Sequence, residues 1–130
     1  MKPKVLVTRN IPRDGLAELF LKCDVDYYDS NEILPAEELF KRVKEIDGLL
    51  CVAVRAGEEL MANAPRLRVI SNYGVGYDRV DVAAATRRKI IVTNTPDVVT
   101  DATAELAFGL ILAVTRRIAE ADRILRSKVS

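Results

Sequence analysis

Short apolar runs and amphipathic stretches take turns along this chain, and the change of period between them predicts its elements. Val5, Leu6 and Val7 read as a buried strand. A helix follows, with Pro12 and Asp14 suited to its first turn and Leu16, Leu19, Phe20 and Cys23 as its inward stripe. Asp24-Val25-Asp26-Tyr27-Tyr28 alternates polar and apolar side chains, as a half-exposed strand at a sheet edge does. The next helix begins near Pro35, with Glu37 and Glu38 at the positive end of its dipole and Lys41, Arg42 and Lys44 toward the negative end. Leu49 to Val54 is a continuous apolar run of strand length, as expected of a central strand covered by helices on both faces. A short helix at Glu58 to Asn63, a strand at Leu67 to Ser71, a glycine-containing turn, a helix near Val80 to Arg88 and a strand at Ile90 to Thr93 complete the alternation.

Strands separated by helices pair in parallel, because a parallel connection needs a crossover. The expected class is therefore α/β: an open five-stranded parallel sheet in the flavodoxin-like order 2-1-3-4-5, with helices on both faces. The last stretch of chain is different. From Asp101 to Lys128 only the isolated Gly109 weakens a helical pattern, and roughly 28 residues at 1.5 Å each span about 42 Å. Leu106 to Val114 is apolar nearly all round, whereas Arg116, Arg117, Glu120, Asp122, Arg123 and Arg126 leave only the stripe Ile118, Ala121 and Leu125. A helix apolar on all sides needs partners on several sides. Residues 1–100 are expected to form one domain, and 101–130 a long helix that packs against another domain or another chain.

Composition narrows the chemistry. With 130 residues the chain has the length of one ordinary domain. Its 20 basic and 19 acidic residues leave a formal charge of +1, so no nucleic acid or other polyanion is expected as a partner. There is no histidine, and hence no imidazole to serve as general base, triad member or metal ligand. Cys23 and Cys51 are too few for a zinc site or a disulfide framework and read as small core residues, so no metal is expected. The start Met1-Lys2-Pro3-Lys4 runs into a strand without an apolar signal stretch. The apolar run Leu106 to Val114 is half or less of the ~20 residues a membrane span needs. A cytoplasmic setting with no membrane partner is expected.

The glycine turn lies between a strand and a helix: Asn72-Tyr73-Gly74-Val75-Gly76-Tyr77-Asp78. Glycines there let the backbone turn sharply and expose N–H groups, which makes a small anion site; the alternative is a tight turn with no ligand. A dinucleotide fingerprint starting at Gly74 places its third glycine at position 79, where Arg79 opposes close helix-to-strand packing. The fingerprint fails, and no P-loop or G-x-S-x-G elbow is present. Asp78 and Asp81 read as residues that cap or flank the next helix. A second junction, Thr93-Asn94-Thr95-Pro96-Asp97, ends the last strand at a proline and continues into helix-cap residue types. Both junctions fall at carboxyl ends of strands, where open α/β sheets place their ligands.

Three stretches together resemble the D-isomer-specific 2-hydroxyacid dehydrogenases, in particular the glyoxylate/hydroxypyruvate reductase branch. They are Asn72 to Asp78, Val92-Thr93-Asn94-Thr95-Pro96, and Thr100-Asp101-Ala102-Thr103-Ala104-Glu105-Leu106-Ala107, supported by Lys2 to Val5 and by Asn63-Ala64-Pro65-Arg66-Leu67-Arg68. The resemblance runs from residue 1 to about Ser127. It implies a flavodoxin-like substrate (catalytic) domain interrupted by an inserted Rossmann NAD(P)-binding domain, with the segment after Asp101 as the helix that crosses between them. It further implies that the glycine turn at Gly74, Val75 and Gly76 binds the substrate carboxylate through the N–H groups of Val75 and Gly76. Val52, Ala53 and Val54 would border the substrate, a small 2-oxo acid such as glyoxylate or hydroxypyruvate or the matching D-2-hydroxy acid. Thr103 would lie against the nicotinamide side of the cofactor.

The family's catalytic Arg, Glu and His stand later in the chain than these motifs, and this sequence matches none of them. The expectation is therefore an N-terminal piece of a dehydrogenase that is catalytically silent alone, with NAD or NADP used by the parent enzyme and not bound tightly here. Ala53 stands where family members often carry a larger apolar residue, which alters the expected pocket. The apolar helix 101–128 is expected to pair two copies into a homodimer, including by exchange of helices. The alternative is a stand-alone flavodoxin-like binding module that self-associates through that helix. A phosphorylatable acidic cluster is missing from the strand ends, and Asn10-Ile11-Pro12-Arg13 is not a flavin phosphate loop.

Overall fold

A computed structural model describes residues 1–127. Five strands, β1 (Lys4–Val7), β2 (Asp24–Tyr27), β3 (Gly48–Cys51), β4 (Val69–Asn72) and β5 (Ile91–Thr93), form one parallel sheet in the order β2-β1-β3-β4-β5. This is the expected α/β architecture. Leu6, Leu49, Ile70 and Val92 stand in register across β1, β3, β4 and β5, so their side chains share one face. On that face they pack with Leu39 of α2 (Ala36–Arg42), Leu60 and Met61 of α3 (Glu58–Ala62), and Ala84 and Ala85 of α4 (Val82–Arg87).

The opposite face is less well covered. It carries α1 (Ala17–Lys22), whose Phe20 ring lies 5.9 Å from that of Tyr27, the register partner of Val7. Val7 is fully buried there, whereas Ile91 on β5 is 65% exposed. Two expectations change accordingly. The inward stripe of the first helix is only half inward, with Leu16, Leu19 and Cys23 half-buried and Phe20 exposed. Covering of β3 is unequal too, since Leu49 is buried and Leu50 only half-buried.

Element ends follow local chemistry. Asp81 caps α4, its Oδ1 accepting the Ala84 N–H at 2.8 Å. β3 stops at Cys51 and not at Val54, because the Val52 N–H turns away to Thr8 Oγ1 at 3.1 Å and Ala53 enters the left-handed region at φ 57°. The apolar pattern runs on past the strand because Val54, though outside it, is buried in the main hydrophobic core.

The chain divides into two compact units, Met1–Pro96 with the sheet, and Asp97–Ser130. Helices α5 (Thr100–Thr115) and α6 (Ile118–Ser127) make up the second, and neither has a buried residue. The single helix expected from Asp101 to Lys128 is thus corrected to two. Gly109 sits inside α5 without breaking it; the break is at Arg116 and Arg117, the latter at φ 54°. There the Thr115 hydroxyl donates to Ile111 O at 2.8 Å and Leu112 O at 3.2 Å, competing for carbonyls of the last turn. Arg117 then pairs with Glu120 and its carbonyl accepts the Ala121 N–H at 3.0 Å, which starts α6 afresh. The expected end at Lys128 lies outside the described residues. No helix among the described residues is long and apolar enough to cross a membrane.

Candidate functional site

Parallel pairing sets the carboxyl ends of β3, β4 and β5 side by side, and four polar side chains organise the loops that leave them. Asn72, the last residue of β4, is 8% exposed. Its Nδ2 donates to Gly74 O at 3.1 Å and to Gly76 O at 2.9 Å. From the end of β5, Asn94 Nδ2 donates to Val75 O at 2.9 Å, and the Thr95 N–H donates to Gly74 O at 3.1 Å. All three carbonyls of Gly74-Val75-Gly76 are therefore occupied. Among the described residues, nothing accepts a hydrogen bond from the N–H groups of Val75 and Gly76. Two neighbouring free N–H groups on an exposed turn are donors for an anion.

The chain bends at Tyr73, Gly74 and Val75, as expected of the turn, and it does so without a positive φ at either glycine; the left-handed residue nearby is Ala53, in the loop after β3. At Gly76 glycine provides clearance, since a Cβ there would stand 3.2 Å from Asp78 Oδ1, whereas one on Gly74 would make an ordinary contact at 3.4 Å with Asn72 Nδ2.

The loop after β3 is fastened to this turn. Tyr73 N–H donates to Cys51 O at 2.9 Å, Ala56 N–H to Arg79 O at 2.9 Å and Asp81 N–H to Ala56 O at 3.0 Å. Arg79 Nη1 reaches Ala53 O at 3.2 Å. Val52, Ala53 and Val54 thus lie beside Gly74, Val75 and Gly76. Thr103, the remaining residue singled out in the sequence, belongs to the second unit, exposed in the first turn of α5, with its N–H donated to Val99 O at 3.0 Å.

Cys51 is fully buried, and burial pushes its thiol up to about 11, so it stays protonated. Its Sγ lies 3.9 Å from Asn72 Oδ1 as a weak donor. Cys23 is half-buried. A cavity of about 650 Å³ lined by Phe40, Arg55, Glu58, Asp78, Arg79 and Asp81 lies beside the turn. Another of about 370 Å³, lined by Leu34, Phe40, Ala53 and Val54 among others, adjoins the loop after β3. Neither is lined by Gly74, Val75 or Gly76.

The turn does not fit a dinucleotide. Arg79 fills the third glycine position and is committed to Ala53 O. The following helix starts only at Val82, and its first-turn Ala84 N–H is taken by Asp81. Sequence reasoning missed Asn72, Asn94, Arg79 and Thr8 as organisers of these loops. An asparagine flanking a glycine turn is a known bonder of nearby backbone and was the available signal for Asn72. Nothing local marks Arg79 or Thr8.

The fold and the turn define an open α/β domain with two adjacent unpartnered backbone N–H groups at the carboxyl ends of its strands, among the described residues. The chain belongs to the family of D-isomer specific 2-hydroxyacid dehydrogenases, whose catalytic-domain pattern it matches over residues 5–122. It is 48% identical over 128 residues to a glyoxylate reductase of Pyrococcus horikoshii, covering 98% of this chain and 38% of that protein. Among solved structures it is similar to a Thermus thermophilus protein at a TM-score of 0.83 and 40% identity, covering 98% of this chain and 41% of the other. It is also similar to an NADPH-dependent glyoxylate/hydroxypyruvate reductase of Sinorhizobium meliloti solved with NADP and malonate, at a TM-score of 0.73 and 32% identity, covering 98% and 39%. The chain thus spans between 38% and 41% of the length of these relatives.

Proposed function

We propose that this chain is the carboxylate-binding part of an NAD(P)-dependent oxidoreductase that interconverts small 2-oxo acids, such as glyoxylate and hydroxypyruvate, with D-2-hydroxy acids. The observation that carries this reading is the pair of unpartnered N–H groups at Val75 and Gly76 on a turn whose carbonyls are all engaged. A carboxylate is acceptor-only and accepts from two donors, and charge assistance strengthens both bonds. Held there, a 2-oxo acid has its carbonyl carbon fixed in direction, so orientation is this chain's contribution to the reaction. Val52, Ala53 and Val54 border the bound acid, the small Ala53 side chain leaving room beside it, and Thr103 stands toward the nicotinamide.

In this reading residues 1–100 are the substrate-binding domain, and 101–130 lead toward an NAD(P)-binding domain. The nicotinamide cofactor supplies hydride chemistry in the parent enzyme; the glycine turn of this chain does not hold it. Reduction of a 2-oxo acid also needs a proton at the new hydroxyl, and this chain has no histidine to give one. The isolated chain should therefore produce no loss of reduced-nicotinamide absorbance with glyoxylate or hydroxypyruvate and either NADH or NADPH. Steady turnover by the pure chain would overturn the assignment. A cytoplasmic setting and a homodimer through 101–128, including by helix exchange, complete the reading. Leu106, Phe108, Leu110 and Ile111, all exposed, support pairing, and light scattering that finds a stable monomer would remove it.

A further inference from the structure

We propose that Asn72 and Asn94 are the positioning residues of the carboxylate site: their amide donors fix the turn's carbonyls and thereby aim the N–H groups of Val75 and Gly76 at the ligand. This rests on the carboxylate reading above. The argument is one of peptide planarity. In a trans peptide the C=O of one residue and the N–H of the next lie in one plane and point in opposite directions. Fixing Gly74 O therefore aims the Val75 N–H, and fixing Val75 O aims the Gly76 N–H. The first carbonyl is held by Asn72 Nδ2 at 3.1 Å and by the Thr95 N–H at 3.1 Å. The second is held by Asn94 Nδ2 at 2.9 Å. Each ligand-facing donor thus has its own asparagine.

The side-chain type matters as much as the place. One amide carries two N–H donors, which lets Asn72 hold Gly74 O and Gly76 O together, whereas a carboxylate has none to give. The two turn carbonyls fix which way the Asn72 amide faces, and the Cys51 thiol, a weak donor 3.9 Å from Oδ1, is consistent with it. Burial keeps that thiol protonated, with its pKa pushed up to about 11. Asn94 arrives from a different strand end, so the turn is aimed only when β4 and β5 are paired. The second junction is thereby part of the site as well as a path into the next helix.

Asn72 is buried, and removing it endangers the fold; Asn94 is half-buried and carries the test. The ¹⁵N-labelled full chain is titrated with glyoxylate, and the amide signals of Val75 and Gly76 are followed in unsubstituted, Asn94→Ala and Asn94→Gln proteins. In the unsubstituted chain both amides should shift with one common Kd. Asn94→Ala should weaken binding about tenfold, as loss of one net hydrogen bond does, and reduce the Gly76 shift more than the Val75 shift. Asn94→Gln, which keeps an amide donor, should restore binding to within about threefold of the unsubstituted chain. A purely structural role would move signals across the sheet and would not single out Gly76. If Asn94→Ala binds glyoxylate as tightly as the unsubstituted chain, this inference falls and the carboxylate reading stands. If glyoxylate shifts neither amide in the unsubstituted chain, the carboxylate reading falls and takes this inference with it.

Discussion

The two ends of the sheet are tied by side chains of nearly the same shape and opposite hydrogen-bonding sense. At the amino end, Asp47 accepts the Lys4 N–H at 2.8 Å and the Arg66 guanidinium at 3.0 Å. The backbone there closes on itself, Asp47 N–H to Lys4 O at 2.8 Å and Arg68 N–H to Asp47 O at 2.9 Å. At the carboxyl end, Asn72 and Asn94 donate to three successive carbonyls. A carboxylate tie takes up N–H groups, and an amide tie takes up carbonyls. The first leaves a closed edge, the second an edge with donors to spare. Placing the receptive loops at the carboxyl ends of parallel strands is common to open α/β folds; the choice of amide over carboxylate determines what such a loop receives.

The largest effect is expected from giving the carboxyl end the chemistry of the amino end. In Asn72→Asp the side chain loses both donors and presents a buried carboxylate to Gly74 O and Gly76 O. Urea denaturation at neutral pH should show a loss of about 3 kcal/mol, typical of an uncompensated buried charge. Burial raises the folded-state pKa of the new carboxyl above its unfolded value. The penalty should therefore be greatest above the folded pKa and recede as pH falls through it. An unchanged urea midpoint would mean that the amide donors are not what holds the turn.

A smaller change, of opposite sign, belongs to the loop after β3. Ala53 is held at φ 57°, where a Cβ is disfavoured. Ala53→Gly should raise stability by about 0.5–1 kcal/mol, the relief of the left-handed strain less the added freedom of glycine in the unfolded chain. Thermal melting should move upward. A fall would show that the Ala53 methyl packs favourably enough to outweigh the strain.

Local signals made most of the fold legible. The runs Val5 to Val7 and Leu67 to Ser71 mark strands, and Asp81 stands where a helix begins and does cap it. The end of β3 was hidden because Val52 and Val54 continue its apolar pattern, while what ends it is Thr8, on a neighbouring strand's exit. The break at Arg116 and Arg117 was hidden because neither glycine nor proline marks it. A threonine hydroxyl bonded back to its own helix and an Arg–Glu pair produce it instead. Within the candidate site, the sequence showed the glycine turn and its bend, but not the left-handed Ala53 in the loop after β3. Asn72 and Asn94 stood in the quoted motifs without a role, because which carbonyl each one takes depends on strand pairing between distant segments.

The smallest effect sharpens the amino-end half of the comparison. The Asp47 carboxyl is held below the usual carboxylate range, first by the Lys4 N–H and then by Arg66. A carboxyl lowered in the folded state contributes stability that is fully present above its unfolded pKa of about 3.9 and is lost as pH falls through the lower folded value. Asp47→Asn keeps an oxygen for the Lys4 N–H but removes the titrating charge. At neutral pH it should be destabilised less than Asn72→Asp. Below about pH 4 its stability should fall less steeply than that of the unsubstituted chain, as read by circular dichroism across an acid titration at fixed urea. The Val75 and Gly76 amide signals should stay in place, because nothing at this end aims them. Parallel acid limbs in the two proteins would show that the charge on Asp47 does not tie the amino end, and a shift of the Val75 or Gly76 signals would show that the two ends are not independent.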